Sequence, residues 1–350
     1  MPLDKEAKEA LGAIIRKSRV HLYKPIQIAE ILFHHRTKSG WDLEDLESYR
    51  NISKKWRDEI SIKLVGRRST SSQKYQDNVF EANAMPPKLL KVLGDINKKE
   101  AGRIEAFIYA ALKARLLNVY AVKEYIKQST SESFSLRKLV SLFENNPGLK
   151  RSIDKMYEIL VYALFTAIVR ALKVRVTMEI ANPNKEMLKD FDTFIETVLG
   201  FMPESTQLVM SAALFRAGVA NAADRGLDMW TNFGAAIQVK HIALTPDILE
   251  DISDDICADR IVIVCLTSEK KTIEAVLEQV GWGGKIQGIV TIDDLDKWYK
   301  ICLSDKYKSS IGAYLLRDVE REFECEFPSS TRIEPFMIER GYNKLLTSKK

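Results

Sequence analysis

The amino-acid sequence predicts a protein of the α+β or α/β class, with a mostly helical N-terminal half and a C-terminal half built on a mixed β-sheet. Apolar residues recur at helical spacing through the first 148 residues, whereas the first β-branched run typical of a strand begins at residue 174. Strands and helices then alternate, as in layered folds. The turn NNPG at 145–148 marks the predicted boundary between domains 1–148 and 149–350.

The N-terminal domain is predicted to consist of short helices. IQIAEILFHHR, the polar turn TKSGWD, and then LEDLESYR and SKKWRDEISIKLVGR predict three helices in succession, an arrangement that suits a helix-turn-helix or winged-helix unit. Two prolines at 86–87 interrupt this pattern, and helices rich in Lys and Leu are predicted over 88–146.

The C-terminal domain is predicted to begin with an apolar helix over 152–172 and a strand over 174–180. A helix follows that opens after Asn-Pro and ends at Gly200. A hairpin-like pair comes next, with LDMW (227–230) and AAIQVKHIAL (235–244) joined by the turn TNFG. The remaining elements are helices around 246–253, 269–281, 294–303 and 312–325, and strands over 260–267 and 285–292.

Composition excludes several classes of protein. The chain has 350 residues, of which 46% are hydrophobic and 29% are charged, so it can bury a core and is not disordered. The four cysteines lie in the last third without a CxxC pair, which argues against a disulfide scaffold. The sequence has no apolar run of eighteen residues and opens on an amphipathic helix, so we expect a cytoplasmic protein without a membrane segment.

Charge is distributed unevenly along the chain. Residues 1–150 carry 28 Lys and Arg against 18 Asp and Glu, a net charge of +10, whereas residues 151–350 carry 25 against 30, a net charge of −5. A basic half joined to a mildly acidic half indicates a polyanion-binding module attached to another function. The alternative is a Lys-rich solvated surface on a helical domain.

The basic loop GRRSTSSQKYQDN (66–78) is the candidate for DNA contact. Arginine and lysine can neutralise phosphates, and glutamine and the hydroxyl residues can bond to phosphates or base edges. A flexible polar linker is the alternative interpretation. The predicted DNA-binding residues are Arg67, Arg68, Ser69, Thr70, Gln73, Lys74 and Gln76.

The hairpin-like pair carries the candidate catalytic residues. Gln238 and Lys240 lie in an otherwise apolar strand, where polar groups are costly to bury without partners, and Asp228 lies across the turn. If the strands pair, the carboxylate, the amide and the ammonium approach one face of the sheet. Asp228 with Gln238-Val239-Lys240 resembles the Gln variant of the PD-(D/E)xK nuclease motif. The alternative is a strand edge with a salt bridge.

The motif resemblance implies a role for each residue. Asp228 and the main-chain carbonyl of Val239 would bind Mg²⁺ through oxygen, and Lys240 would orient the attacking water and stabilise charge on the phosphate. Gln238 replaces the commoner Glu, so the site lacks one negative charge. Glu158 on the apolar helix is the first choice for a further carboxylate, and Glu179 on the following strand is the second. Glu158 could instead be an ordinary helix-surface residue.

The whole chain resembles the HaeII family of type II restriction endonucleases. The resemblance covers KSRVHLYKPIQIAEILFHHR, RRSTSSQKYQDNVFEANAMPP, MYEILVYALFTAIVRAL and DRGLDMWTNFGAAIQVKH. It implies a homodimer that makes Mg²⁺-dependent double-strand breaks at a short palindromic DNA site, RGCGCY if the match extends to the recognition sequence. It also implies a cognate DNA methyltransferase encoded nearby.

Two other functions stay open at this point. A non-catalytic DNA-binding regulator with a winged-helix N-terminus would account for the basic half, but not for Gln238 and Lys240 opposite Asp228. A repair or recombination enzyme with the same nuclease core would act on DNA structure and not on sequence.

Overall fold

The computed structural model describes most of the chain as two compact units. The described residues are 3–38, 41–68, 78–80, 85–181, 184–202, 205–216, 227–240, 260–279, 286–327 and 331–347. Unit 1 consists chiefly of Met1–Ile159 and Val319–Lys350, and unit 2 of Leu160–Ala217 and Asp224–Asp318. These boundaries differ from the predicted domains 1–148 and 149–350, because the C-terminal helices pack into unit 1.

The described part of unit 1 contains helices and no strands. Its helices are α1 (Leu3–Lys17), α2 (Tyr23–Thr37), α3 (Leu46–Val65), α4 (Pro87–Lys99), α5 (Arg103–Gln128) and α6 (Leu136–Glu144), together with the start of α7 (Ile153–Ala171) and C-terminal helices described below. The prediction of two helices over 43–66 was wrong. Asp45 caps the N-terminus of α3 and Gly66 ends it at φ 77°, and no residue between them breaks the helix.

The C-terminal segment completes the core of unit 1. Helices α13 (Ile333–Glu339) and α14 (Tyr342–Thr347) contribute buried apolar side chains to the core formed by α1 to α5. Tyr342 also donates a 2.7 Å hydrogen bond to the buried carboxylate of Glu105, and Arg340 donates one of 3.2 Å to buried Glu30. Removing these donors would leave buried carboxylates with fewer partners, so the segment is part of the unit.

Unit 2 contains a mixed five-stranded sheet, which confirms the predicted fold class. The strands are β3 (Leu214–Arg216), β4 (Met229–Thr231), β5 (Ala235–Lys240), β6 (Arg260–Cys265) and β7 (Ile286–Thr291), in that spatial order. Strands β3, β4 and β5 pair antiparallel, and β5, β6 and β7 pair parallel. The end of the predicted strand 235–244 and the predicted helix around 246–253 lie outside the described residues.

Helices follow the parallel strands of this sheet. Helix α10 (Lys270–Gln279) follows β6, α11 (Ile292–Leu303) follows β7, and a π-helical turn (Lys308–Gly312) leads into α12 (Ala313–Glu326). Thr291 and Asp294 form a capping box at the start of α11, and the Tyr299 hydroxyl donates to the carbonyl of Leu160 in α7. None of the helices in the described ranges combines the length and apolar character that a membrane crossing requires.

A second, two-stranded sheet carries an excursion of the chain between α7 and β3, which we call the arm (residues 172–211). Strands β1 (Arg175–Glu179) and β2 (Gln207–Ser211) pair antiparallel. Between them lie α8 (Lys185–Asp190), α9 (Asp192–Phe194) and a π-helical turn (Ile195–Leu199), which together we call the arm helix. Asn184 caps its start and Gly200, at φ 75°, ends it, as the sequence predicts. Strands β2 and β3 were not predicted.

Candidate active site

The β4–β5 hairpin brings Asp228 and Gln238 to adjacent positions. Met229 pairs with Ile237, so one further step in the antiparallel register sets Asp228 opposite Gln238. The tight connection depends on Gly234, whose φ of 91° favours glycine. Thr231 closes the turn by donating to the carbonyl of Ala235 and accepting from its N–H. The predicted hairpin is therefore present.

The Asp228 carboxylate is held against the edge of β5. Its Oδ2 accepts a 2.8 Å hydrogen bond from the backbone N–H of Val239. The N–H and C=O of one residue in an extended strand point to the same side, so the Val239 carbonyl also faces the Asp228 side of β5. The arrangement sets a carboxylate and a main-chain carbonyl oxygen on the same strand edge.

The Gln238 side chain is buried without a hydrogen bond. It is 1% exposed, and neither its amide oxygen nor its amide nitrogen has a hydrogen-bond partner among the described residues. An unpaired buried amide costs about 1–3 kcal/mol. The register sets Gln238 on the same face of the sheet as Asp228, and an amide oxygen, a carboxylate and a main-chain carbonyl are donors that hard divalent cations prefer. These three residues therefore fit a divalent metal ion.

The site is poor in negative charge. In the described part of the chain, no group of three or more His, Cys, Asp and Glu residues could hold a metal. Gln238 in place of a glutamate accounts for one missing charge. A cation here would depend on neutral oxygen ligands and on the phosphate that it binds.

Lys240 is the last described residue of β5. Its backbone pairs with Cys265 of β6 in the parallel part of the sheet. It follows Gln238 by two residues, which is the spacing that the motif requires. The role assigned to its ammonium group stays a prediction.

The two candidates for a further carboxylate have different surroundings. Glu158 lies in the part of α7 that belongs to unit 1, and it is 4% exposed, so it is not a surface residue. Lys155 binds both of its oxygens at 2.7 and 2.8 Å. Glu179 is exposed at the end of β1, in the separate two-stranded sheet. The metal-binding role of either residue stays a prediction.

Arg67 makes contacts within unit 1. Its guanidinium donates to the main-chain carbonyls of Cys325 and Glu326, at the C-terminus of α12, and lies 3.3 Å from Nε2 of His21. Burial and the nearby positive charge of Arg67 and Arg19 lower the pKa of His21 to about 3. Arginine only donates, so Nε2 of His21 accepts and the ring is neutral. Sequence alone did not indicate this structural role.

The rest of the predicted DNA-binding loop is only partly described. Arg68 is exposed, as a phosphate-binding side chain must be. Ser69, Thr70, Gln73, Lys74 and Gln76 lie outside the described residues. The assignment of this loop to DNA contact stays a prediction.

Asn232, in the turn between β4 and β5, is a site residue that the sequence analysis missed. Its amide donates to the carbonyl of Ser211, and its side-chain oxygen accepts from the N–H of Ala213, both at 2.9 Å. The turn of the hairpin is thereby tied to the end of the arm. The signal was an Asn within a turn, where its side chain commonly bonds to nearby backbone.

Comparisons with known proteins agree on one family. Residues 7–342 match the family model described as HaeII restriction endonuclease. The chain is 48% identical over 346 residues to "Type II restriction enzyme HaeII" of Haemophilus aegyptius. It is 47% identical over 347 residues to "Type II restriction enzyme NgoBI" of Neisseria gonorrhoeae. Each alignment covers 98% of both chains. No solved structure gives a significant match.

Proposed function

Because the chain belongs to the HaeII restriction endonuclease family and is a type II restriction endonuclease, we propose that it cuts both strands of DNA at a short palindromic site in a Mg²⁺-dependent hydrolysis. The observation that carries the proposal is the orphaned amide of buried Gln238 beside Asp228. The site is of the PD-(D/E)xK type with Gln in the second position.

The residues of the β4–β5 hairpin have different roles in the reaction. Asp228, the amide oxygen of Gln238 and the carbonyl of Val239 would hold Mg²⁺. When bound, the metal ion lowers the pKa of water and neutralises charge on the phosphate. Lys240 stabilises the charge that develops on the phosphate oxygens and orients the attacking water. The Val239 N–H fixes the orientation of the Asp228 carboxylate before any ligand arrives.

The energetic cost of burying the Gln238 amide without a hydrogen bond supports a metal-binding role for this residue. A buried amide without partners is retained at a cost that a well-packed apolar side chain would avoid. A bound cation would satisfy the amide oxygen and thereby recover part of that cost. The polar atom is thus explained by a ligand better than by the packing of the sheet.

Recognition of the DNA is assigned to the basic N-terminal region. Arg68 and the loop residues 69–76 are proposed to contact the duplex, since the first 150 residues carry a net charge of +10. The identity to HaeII over nearly the whole chain supports RGCGCY as the site. A palindromic site has a two-fold axis, which a homodimer matches. We also propose a cognate methyltransferase encoded nearby and action in the cytoplasm, where DNA is accessible.

Digestion of plasmid DNA tests the proposed function. Purified enzyme with Mg²⁺ should give discrete bands whose sequenced ends share one palindrome, and chelation of the metal should stop the reaction. Ends that do not share a sequence, or cutting only at branched structures, would instead indicate a repair nuclease. Binding without cutting in every divalent metal tested would indicate a regulator and contradict the proposal.

A further inference from the structure

The arm exposes an apolar stripe with no partner among the described residues of its own chain. Met187, Phe191, Phe194 and Val198 follow one another at intervals of four, three and four residues along the arm helix, and are 53%, 56%, 50% and 64% exposed. Residues at this spacing share one face of a helix. Leu188, Ile195 and Leu199, on another face, are half-buried. The arm helix therefore packs by one face and leaves a second apolar face open.

The charge of the arm helix argues against DNA as the molecule that covers this face. Residues 185–199 contain two lysines against four acidic residues, a net charge of −2. A phosphate backbone would be repelled by such a surface. The chemistry fits a protein surface that is apolar and basic.

Unit 2 itself contains such a surface. A cavity of about 640 Å³ lies between the C-terminal end of α7, helix α11 and the π-helical turn before α12. Its wall is mostly apolar, and its two charged lining residues, Arg170 and Lys173, are both basic. Leu172, Ile301 and Tyr314 line it while remaining 70%, 44% and 44% exposed. The cavity thus complements the arm helix in hydrophobicity and, through Lys173 and Arg170, in charge, although Arg170 also pairs with buried Asp318 at 3.3 Å.

We propose that the arm helix of one protomer docks into this cavity of a second copy of the chain, and that the reciprocal exchange of two arms forms the dimer. Exchange of identical elements gives a closed two-fold assembly in which each contact occurs twice. Six of the arm's exposed apolar side chains, at on the order of 100 Å² each, give on the order of 600 Å², comparable to the area that one partner buries in a standard interface. These six, which exclude the cavity residue Leu172, are Met187, Phe191, Phe194, Val198, Met202 and Val209.

The inference rests on the proposed homodimer and adds the surface that forms it. It also gives the arm a role in catalysis, because Asn232 ties the end of the arm to the hairpin that carries Asp228 and Gln238. Docking of the arms would thereby fix the spacing between two catalytic hairpins. A double-strand break with a defined overhang needs such a fixed spacing.

Sedimentation velocity on the full chain tests the arm. The sedimentation coefficient of the wild type should correspond to a dimer, with twice the chain mass of 39.9 kDa. The double variant Phe191→Asp, Phe194→Asp should raise the dimer dissociation constant at least about thirtyfold, as when central aromatic anchors are lost. Phe107→Asp is the matched control, because Phe107 is a helical residue of unit 1 with 54% exposure, and it should stay dimeric. Circular dichroism should be unchanged in both.

Substitution of two neighbouring serines tests whether the cavity receives the arm helix. Ser310 lines the cavity, whereas Ser309 is exposed in the same π-helical turn without lining it. Ser310→Trp should fill the cavity and weaken the dimer at least tenfold, and Ser309→Trp should leave it intact. Equal effects of the two substitutions would overturn the cavity as the receptor of the arm.

The remaining outcomes distinguish failure of the arm exchange from failure of the proposed homodimer. A wild type that stays monomeric at all concentrations would overturn both the homodimer and the arm exchange, and would mean that another molecule covers the arm. A dimer that persists in the Phe191→Asp, Phe194→Asp variant would overturn the arm exchange alone. Neither result depends on whether the Asp228 site cleaves DNA.

Discussion

At the scale of single residues, two buried glutamines show how differently the same side chain can be accommodated. Gln27 is fully buried, donates to Ser53 and accepts from Arg57, so both ends of its amide are satisfied. Gln238 is equally buried, but its amide has no partner in the described residues. The first glutamine stabilises the fold, whereas the second costs stability because its amide is buried without a hydrogen bond.

Substitution of the two glutamines by methionine separates these roles. In chelator, Gln238→Met should raise the free energy of unfolding by about 1–2 kcal/mol, because a similar apolar volume replaces an unpaired amide. Gln27→Met should lower it by a similar amount. Thermal unfolding with and without Mg²⁺ is the measurement, and Mg²⁺ should stabilise the wild type but not Gln238→Met. A Gln238→Met variant that is destabilised in chelator would contradict a ligand role for this amide.

His21 predicts a pH dependence of stability in unit 1. Its pKa falls from the ordinary value near 6.5 to about 3, through burial first and the charges of Arg67 and Arg19 second. A depressed pKa means that the unfolded chain takes up a proton before the folded one does. The stability that His21 contributes is therefore complete above pH 6.5 and is lost as the pH falls towards 3.

The measurement is thermal unfolding of the wild type and of His21→Gln, which keeps an acceptor for Arg67. Between pH 7 and pH 5 the wild type should lose about 2 kcal/mol more than the variant, since one pH unit corresponds to about 1.4 kcal/mol. Equal losses in the two proteins would show that the pKa of His21 is the same in the folded and the unfolded chain, and would contradict this account.

At the scale of structural elements, the β4–β5 hairpin combines local and distant information. The turn TNFG and the apolar alternation of β5 predict the hairpin from sequence, because turn chemistry and strand periodicity are local. The bonds from Asn232 to Ser211 and Ala213 span about twenty residues and have no local signature. Strands β2 and β3 were missed for the same reason, since three to five residues gain their pairing only from partners elsewhere in the chain.

Asn232→Ala should loosen the junction between the arm and the hairpin. The loss of two hydrogen bonds should cost about 1–2 kcal/mol and speed amide exchange at Ala213, whose N–H loses its acceptor. Asn184→Ala is the control: it removes the cap of the arm helix, at about 1 kcal/mol, but should not change exchange at Ala213. Hydrogen exchange followed by mass spectrometry distinguishes the two. Unchanged exchange at Ala213 in Asn232→Ala would contradict the proposed junction.

At the scale of the whole molecule, unit 1 is assembled from segments that are far apart in sequence. The composition and charge of the two halves predict a helical basic region and a sheet-containing region, and the structure agrees with that division of secondary structure. They do not predict that residues 319–350 belong with the N-terminal helices. That contact depends on the buried carboxylates of Glu30 and Glu105, which need donors from Arg340 and Tyr342, and no pattern local to either segment reports it.

The position of Asp228 opposite Gln238 was predictable for a different reason. A polar pair at alternate positions of an apolar strand, with a carboxylate across a short turn, is a local pattern with few structural explanations. The contribution of Arg67 was not predictable in this way, because an arginine in a basic loop can bind a phosphate or a helix C-terminus equally well, and its charge does not distinguish the two.

Cleavage and binding of cognate duplex by Asp228→Ala and Lys240→Ala test the central claim most directly, with Asp305→Ala, at an exposed acid of unit 2, as the control. Both site variants should lose at least about 10²- to 10³-fold in the single-turnover cleavage rate with Mg²⁺, as expected when transition-state charge is no longer stabilised. Their DNA affinity should stay within about an order of magnitude, because neither is a main phosphate contact. Cleavage by either variant at the rate of Asp305→Ala would contradict the assignment of the active site to the β4–β5 hairpin.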